Sequence, residues 1–397
     1  MKTLLLTDIP PSSNLTAGIV TAQMCRCIPP GELAIFCVQN PHLHPELYSD
    51  LSHVPMRVVP KPNELNAGKG RSPIRCASAI LAETYRRMQL ITPLVNQAVE
   101  FGKEQRATAL WAILQGQTMV RMTGSVAQGL GVPLRTQVWD PLGWWLSAHG
   151  VDAFNTRLDL ALFDRTLKRS VSCATASWEM ARRYERKYGT ISHPIIASLD
   201  QSTARKPEPK LRCQDDLAIG MAGQFYASDE WNQLAWSLSL AGWQVNGRKV
   251  VVRVLGHQKP PGVPEEHLDF QGWQPQTRAV ELLSETCDIL YCPYPFKASM
   301  VEVAELSFPS KIPTYLAAGR PILFHGPKYA NAARYLEERR AGFICRAMEA
   351  DAVYDGLLHL VEDQDLYKCL AEGAQNAFHS DFTLERLSDA VRRFLGY

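Results

Sequence analysis

The chain has 397 residues, 46% of them hydrophobic and 21% charged, with a net charge of +2. That length exceeds one ordinary core, so two domains are expected. The near-neutral charge excludes a bulk nucleic-acid binder, no apolar run reaches a membrane span, and the opening MKTLLLTDIPPSS is too short in apolar residues for a secretory signal. The ten cysteines form no C-x-x-C pair, the nearest being Cys25-Arg26-Cys27. Reduced thiols in a cytoplasmic protein are therefore expected, with no metal centre. His42 and His44 lack an acidic or cysteine partner at ligand spacing, which points the same way.

Taken in chain order, short apolar runs alternate with helical periodicity. Leu4–Thr7, Leu33–Val38 and Met56–Val59 read as strands. Ala77–Glu100 reads as a helix, Leu110–Leu114 as a strand, Met119–Leu130 as a helix and Leu134–Trp139 as a strand. Val151–Arg169 is helical, Val171–Ala174 extended, Trp178–Tyr188 helical and Pro194–Ala197 extended. Gln201–Gln214, polar and with two prolines, reads as a linker. The alternation then restarts: strand Leu217–Ala222, helix Ser228–Ala241, strand Val250–Leu255, helix Thr277–Ser284, strand Ile289–Cys292. The tail 350–395 is mostly helical. This rhythm predicts two α/β units, each a parallel sheet covered on both faces, with ligands beyond the strand ends.

The stretch SFPSKIPTYLAAGRPILFH (307–325) carries the most local chemistry. Ser310 is read as an N-cap, Pro313 sits where a first helical turn tolerates a missing N–H, and Gly319 followed by Pro321 ends the helix. A short helix starting near Lys311 is predicted, with its free N–H groups and the lysine favouring an anion such as a diphosphate. A capped structural helix with a surface lysine is the plainer reading. Arg320, at the far end, is expected on the surface.

The order of residues in SFPSKIPTYLAAGRPIL resembles the donor-site motif of retaining, sugar-nucleotide-dependent glycosyltransferases of the family-4 type. DFQGWQPQTRAVELLSETCDILYCPYPF (269–296), VSCATASWEMARRYERKYG (171–189), PIIASLD (194–200) and FTLERLSDAVRRFL (382–395) are similar to further parts of that family. The resemblance covers most of 155–397. It implies the GT-B fold, an α/β class in which two Rossmann-like doubly wound domains face a cleft. The domains would be 1–205, joined by the returning helix 382–397, and 206–381. It implies sugar transfer with retention from a nucleoside-diphosphate sugar, without a metal and with no cofactor. It places Ser307, Pro309, Ser310 and Lys311 beside the diphosphate, the Gly272-Trp273 loop at the base and Thr314 at the ribose. Lys311 would act catalytically on the leaving diphosphate.

Two departures are visible. The family's paired glutamates fall on Leu306 and Thr314, with Glu302 and Glu305 nearby as substitutes. The Arg and Lys expected after the first strand of the second domain are replaced around Gln224 and Phe225, leaving Lys311 as the main side-chain charge. These losses keep a second reading open, a catalytically degenerate nucleotide-binding partner protein. A sugar-nucleotide epimerase is a third, but it would need an acid–base pair that the sequence does not reveal.

Outside that stretch, Asp140 in TQVWDPLGWW (136–145) ends a strand. It either orients or deprotonates an acceptor hydroxyl or caps the next loop. Trp144 and Trp145 either stack on a sugar or pack. Gly18 near a helix start offers close backbone approach for a ligand. GKGRS (68–72) lacks phosphate-loop spacing and reads as a basic surface loop. The partners expected are a nucleotide-sugar donor and a sugar, glycan, lipid-linked or protein acceptor, with no nucleic acid. The basic helix 180–189 offers peripheral contact with the inner face of a membrane.

Overall fold

Apolar strands such as Leu4-Leu5-Leu6 and Ile35-Phe36-Cys37-Val38 are buried along their whole length, the pattern of strands covered on both faces. The computed structural model describes residues 1–64, 80–212 and 216–397. The chain divides into two compact units, Met1–Ile196 with Leu387–Tyr397, and Ala197–Arg386. The segment GKGRS, the start of the helix read from Ala77, and Cys213 and Gln214 of the linker lie outside the described residues.

In the first unit the strands are β1 Thr3–Thr7, β2 Leu33–Gln39, β3 Met56–Pro60, β4 Ala109–Ile113, β5 Leu134–Val138, β6 Ser172–Thr175 and β7 Ile191–Pro194. They pair in parallel in the order β3-β2-β1-β4-β5-β6-β7, so the direction of winding reverses between β1 and β4. Right-handed crossovers put the helix Thr16–Arg26 on one face and the later helices on the other. Met24 and Cys25 share a core with Val391 and Phe394 of the helix Leu384–Leu395. The extended segment expected at Pro194–Ala197 is corrected to Ile191–Pro194. It is an edge strand, so its sequence alternates, with Ile191 exposed and Ser192 buried, while the apolar Ile195 and Ile196 are buried in the loop beyond. A short helix, Leu142–Ala148, follows Asp140.

The second unit holds β8 Asp216–Ala222, β9 Gln244–Val245, β10 Arg248–Leu255, β11 Leu268–Phe270, β12 Ile289–Pro293, β13 Ile322–His325 and β14 Gly342–Cys345. The order is β11-β10-β8-β12-β13-β14, parallel throughout, with β9 added antiparallel to β10. Asn246 and Gly247 both have positive φ, 47° and 75°, the tight hairpin turn that an Asn-Gly pair favours. Among the described residues no helix is long and apolar enough to cross a membrane.

Arg320 overturns the surface expectation. It is buried, and its guanidinium donates to the Ser284 carbonyl at 2.9 and 2.7 Å and to the Tyr367 hydroxyl at 3.3 Å. Gly319 turns the chain back at φ 67°, which directs the next side chain inward to close the end of the helix Gln276–Thr286.

His325, at the end of β13, is fully buried between the Tyr291 hydroxyl at 2.7 Å and the Ala347 carbonyl at 2.9 Å. Burial pushes its pKa down to about 4 from an ordinary 6.5. An unfolded chain therefore takes up a proton between those values that the folded chain refuses. Stability is unaffected above pH 6.5, falls as pH drops towards 4, and changes no further through this group below it. The expected loss is about 3 kcal/mol. Denaturant midpoints measured across this range for the natural chain and for His325→Gln should show a steeper acid-side slope in the natural chain than in the variant, which keeps the smaller share from His193, whose pKa burial also lowers.

Candidate functional site

The carboxyl ends of β8, β10 and β11 are tied together by their first loop residues. Gly223 N–H donates to the Leu255 carbonyl at 2.9 Å, and Gly256 N–H to the Gly272 carbonyl at 3.0 Å. A Cβ on Gly256 would lie 2.9 Å from the Gly223 oxygen, so only glycine allows these turns to pack so closely. Gly223 itself has φ 93°.

Beside these turns lies the segment Ser307–Ala318. Ile312 N–H donates to the Pro309 carbonyl at 3.1 Å, closing a turn that leads into the seven-residue helix Ile312–Ala318. Lys311 is the N-cap residue and Ser310 is exposed in the turn, making no capping bond. The Ser310 cap expected from sequence is thus corrected, because the turn built by Pro309 already takes the N–H that a serine would have served. Tyr315 anchors the helix. Its hydroxyl accepts the Ala222 N–H at 2.8 Å and donates to the Tyr291 carbonyl at 3.1 Å, pinning the helix under β8 and β12. Tyr315→Phe leaves a buried N–H unsatisfied and should cost about 1–3 kcal/mol in chemical denaturation. A cost near zero would show that the anchor is dispensable.

Lys311 is the main electrostatic feature. Only 8% of it is exposed. Among the described residues its ammonium has one hydrogen bond, a long one of 3.4 Å to the Gln224 carbonyl, and it lies 5.4 Å from the centre of the Tyr226 ring. No described carboxylate pairs with it, and burial lowers its pKa from the ordinary lysine value. An anion arriving here would replace the solvation that burial has removed. With only seven residues behind it, the helix dipole is the smaller contribution.

The remaining expected residues fall around this point or away from it. Gln224 has an exposed side chain and offers its backbone to Lys311. Gly272, at φ 67°, precedes Trp273, which is half exposed and stacked on His257 at 6.0 Å and 16°. Thr314, one turn on from Lys311, is buried and accepts a 3.3 Å hydrogen bond from the Gln276 side chain. Leu306 is a core residue, Ser307 and Pro309 are buried, and Glu305 is half buried beside Tyr329, whose phenol is raised by burial and by that charge.

Two expected residues belong to the first unit. Asp140 is half buried just past β5. Gly18 does not offer open backbone to a ligand. A Cβ there would sit 2.0 Å from the Ser12 hydroxyl and 2.9 Å from the Pro10 carbonyl, so the glycine admits the chain's own loop. Of Trp144 and Trp145, the second stacks on His149 at 3.9 Å and 18°.

Sequence reasoning did not single out Tyr226, His257, Gln276 or Tyr315. The only local signal was the Tyr-Leu-Ala-Ala run containing Tyr315, because the other three come from loops and a helix start that converge only through the sheet order.

No protein-family model matches the chain, and no curated protein matches it in sequence. Solved structures do match its shape. HepE from Anabaena, in complex with UDP and glucose, has 15% identity and a TM-score of 0.67, covering 100% of this chain and 99% of that one. Sucrose-phosphate synthase from Thermosynechococcus elongatus has 10% identity and a TM-score of 0.66, covering 100% and 98%. WaaG, a glycosyltransferase involved in lipopolysaccharide biosynthesis, has 11% identity and a TM-score of 0.59, covering 100% of both. At these identities the likeness is one of fold, and the chain has the fold of the GT-B glycosyltransferases, built from two Rossmann-like units.

Proposed function

We propose that this protein is a glycosyltransferase that uses a nucleoside-diphosphate sugar as donor and transfers the sugar with retention. The observation that carries this reading is Lys311, a buried ammonium with no described carboxylate partner, set where the turns after β8 and β10 meet. A structural lysine would be paired or exposed. Here the missing partner is supplied by the donor's diphosphate, with Ser307, Pro309, Ser310 and the Gln224 backbone along the same track. The Gly272-Trp273 loop, with His257 stacked on the indole, receives the base. Thr314 and Gln276 take ribose hydroxyls, and Glu305 stands in for a family glutamate near the sugar. Asp140 orients the acceptor hydroxyl.

In the reaction the bond between the sugar's anomeric carbon and the phosphate oxygen breaks as the acceptor oxygen bonds to that carbon. The acceptor's proton passes to the departing phosphate oxygen. Lys311 stabilises the charge that builds on that diphosphate, so the chemistry proceeds without a metal or a cofactor. The acceptor is a sugar, glycan, lipid-linked sugar or protein, met in the cytoplasm or at the inner face of a membrane. HepE carries UDP and glucose, so uridine nucleotide sugars are the first to test.

A second reading has its own support. Leu306 is locked in the core and Thr314 is neutral, so neither replaces a glutamate. These positions fit a nucleotide-binding partner protein that has lost catalysis. A thermal-shift panel of nucleoside-diphosphate sugars separates the outcomes. Stabilisation by one nucleotide class, with sugar turnover, supports the transferase. Stabilisation without turnover on any acceptor supports the partner protein, and no stabilisation at all removes both.

A further inference from the structure

The surroundings of the Lys311 ammonium come largely from one loop, and that loop carries no charge. Gly223, Gln224 and Tyr226 all belong to the five residues between β8 and the helix Ser228–Leu240. A Cβ on Gly223 would lie 3.7 Å from the Lys311 Cε and 4.0 Å from its Nζ, so the lysine stem runs along the glycine. Beyond it the Gln224 carbonyl accepts at 3.4 Å, and the centre of the Tyr226 ring lies 5.4 Å from the Nζ. The thiol of Cys292, also close to this lysine, supplies no anion, because burial pushes its pKa up to about 12.

Two aromatic contacts set the loop. Phe225 packs on the core of the second unit, edge-on to Trp231 at 4.9 Å and 84°. The Trp231 indole is fixed in turn by donating to the Pro261 carbonyl at 2.9 Å. Tyr226 instead meets Tyr294 edge-on, at 5.9 Å and 88°. Tyr294 lies just past β12 and is itself buried, with its N–H donating to the His325 carbonyl at 2.8 Å. Tyr226 is thus held from one side by a fixed ring while 42% of it stays exposed beside the ammonium.

The choice of an aromatic ring has a consequence for anion binding. A carboxylate in its place would neutralise Lys311 and repel an incoming phosphate. A ring face attracts a cation through its quadrupole and carries no net charge. It can therefore fix where the ammonium sits and leave the whole of its charge for a ligand. The phenol oxygen is not needed for this, since the attraction belongs to the ring.

We propose that Tyr226 is a positioning residue of the donor site, holding the Lys311 ammonium at its ring so that an arriving diphosphate meets a placed and unneutralised charge. The inference rests on the donor reading of Lys311 and adds the residue that aims it.

A double-mutant cycle read by calorimetric titration of the full chain with UDP, GDP and ADP tests it. Tyr226→Phe should keep the affinity for the nucleotide that binds within about twofold, and Tyr226→Leu should weaken it about five- to tenfold. With Lys311→Met already in place, Tyr226→Leu should change the affinity by less than about twofold, because no ammonium is left to hold. An equal loss in both backgrounds would overturn the proposal, since the ring would then act on the ligand or on the fold directly. A loss in Tyr226→Phe as large as in Tyr226→Leu would overturn it too, by making the hydroxyl the working group. A natural chain that binds none of the three nucleotides would overturn the donor reading and this proposal with it. Binding without coupling between residues 226 and 311 would overturn the role of Tyr226 alone.

Discussion

Replacing Lys311 with methionine is expected to raise the melting temperature of the ligand-free chain and, at the same time, to weaken nucleoside-diphosphate binding by about 100-fold. The two effects share one cause. In the free protein the ammonium is buried with a single long hydrogen bond to Gln224, so an isosteric apolar side chain removes a desolvation penalty. In the proposed complex the same ammonium would face a diphosphate from which water is excluded, and its loss would leave that charge uncompensated. Lys311→Arg should keep part of the affinity, because the charge remains but the wider guanidinium meets the Gly223 turn, where a Cβ would lie only 3.7 Å from the Lys311 Cε. Calorimetric titration with UDP, alongside thermal melts of the free proteins, reads both signs. A Lys311→Met variant that is less stable and binds normally would make the lysine structural.

The largest loss of stability is expected from Asp288→Ala. This carboxylate is fully buried just before β12 and accepts from the Arg212 backbone N–H at 2.8 Å, the Arg212 guanidinium at 3.2 and 2.9 Å, and the Ala218 N–H at 2.9 Å. Its backbone carbonyl also takes the Tyr367 hydroxyl, which in turn accepts from Arg320. One side chain thus joins the segment entering the second unit, its first strand and its central strand. Alanine strands a guanidinium that is itself nearly buried, together with two N–H groups. The expected cost is about 3–5 kcal/mol, a large share of the roughly 5–15 kcal/mol that a domain commands. Urea unfolding followed by tryptophan fluorescence, in which Trp231 and Trp243 report on this unit, measures it. A cost below about 1 kcal/mol would show that the network is replaceable.

These two residues also mark the limits of reading the sequence. Apolar runs such as Leu217–Ala222 and Ile289–Cys292 announce themselves, because strands buried on both faces need uninterrupted apolar residues. The motif around Lys311 was legible because its prolines and glycine fix the backbone locally. Asp288 carries no such signal, since its partners lie 70 and 76 residues away in sequence. Arg320 escapes a sequence reading for the same reason, since a charged residue beside a turn is expected to be exposed unless a distant carbonyl, here that of Ser284, receives it. Gly18 suggested open space that Ser12 fills, which only the folded loop reveals. The edge strand Ile191–Pro194 was shifted because half of it faces outward, and the short strand Gly342–Cys345 is too brief to show a period. The Asn246-Gly247 pair did carry a hairpin signal in the sequence, and it sits where that signal would place it.

The central claim is donor use. Proton NMR of the full chain incubated with UDP-glucose and other nucleoside-diphosphate sugars tests it most directly, because water can serve as a slow acceptor in place of the unidentified one. The account predicts release of nucleoside diphosphate from one donor class, a first-formed sugar with the donor's own anomeric configuration, and no release by Lys311→Met. A first-formed sugar of opposite configuration would contradict retention, and the absence of both binding and release for every donor would contradict the assignment of the site.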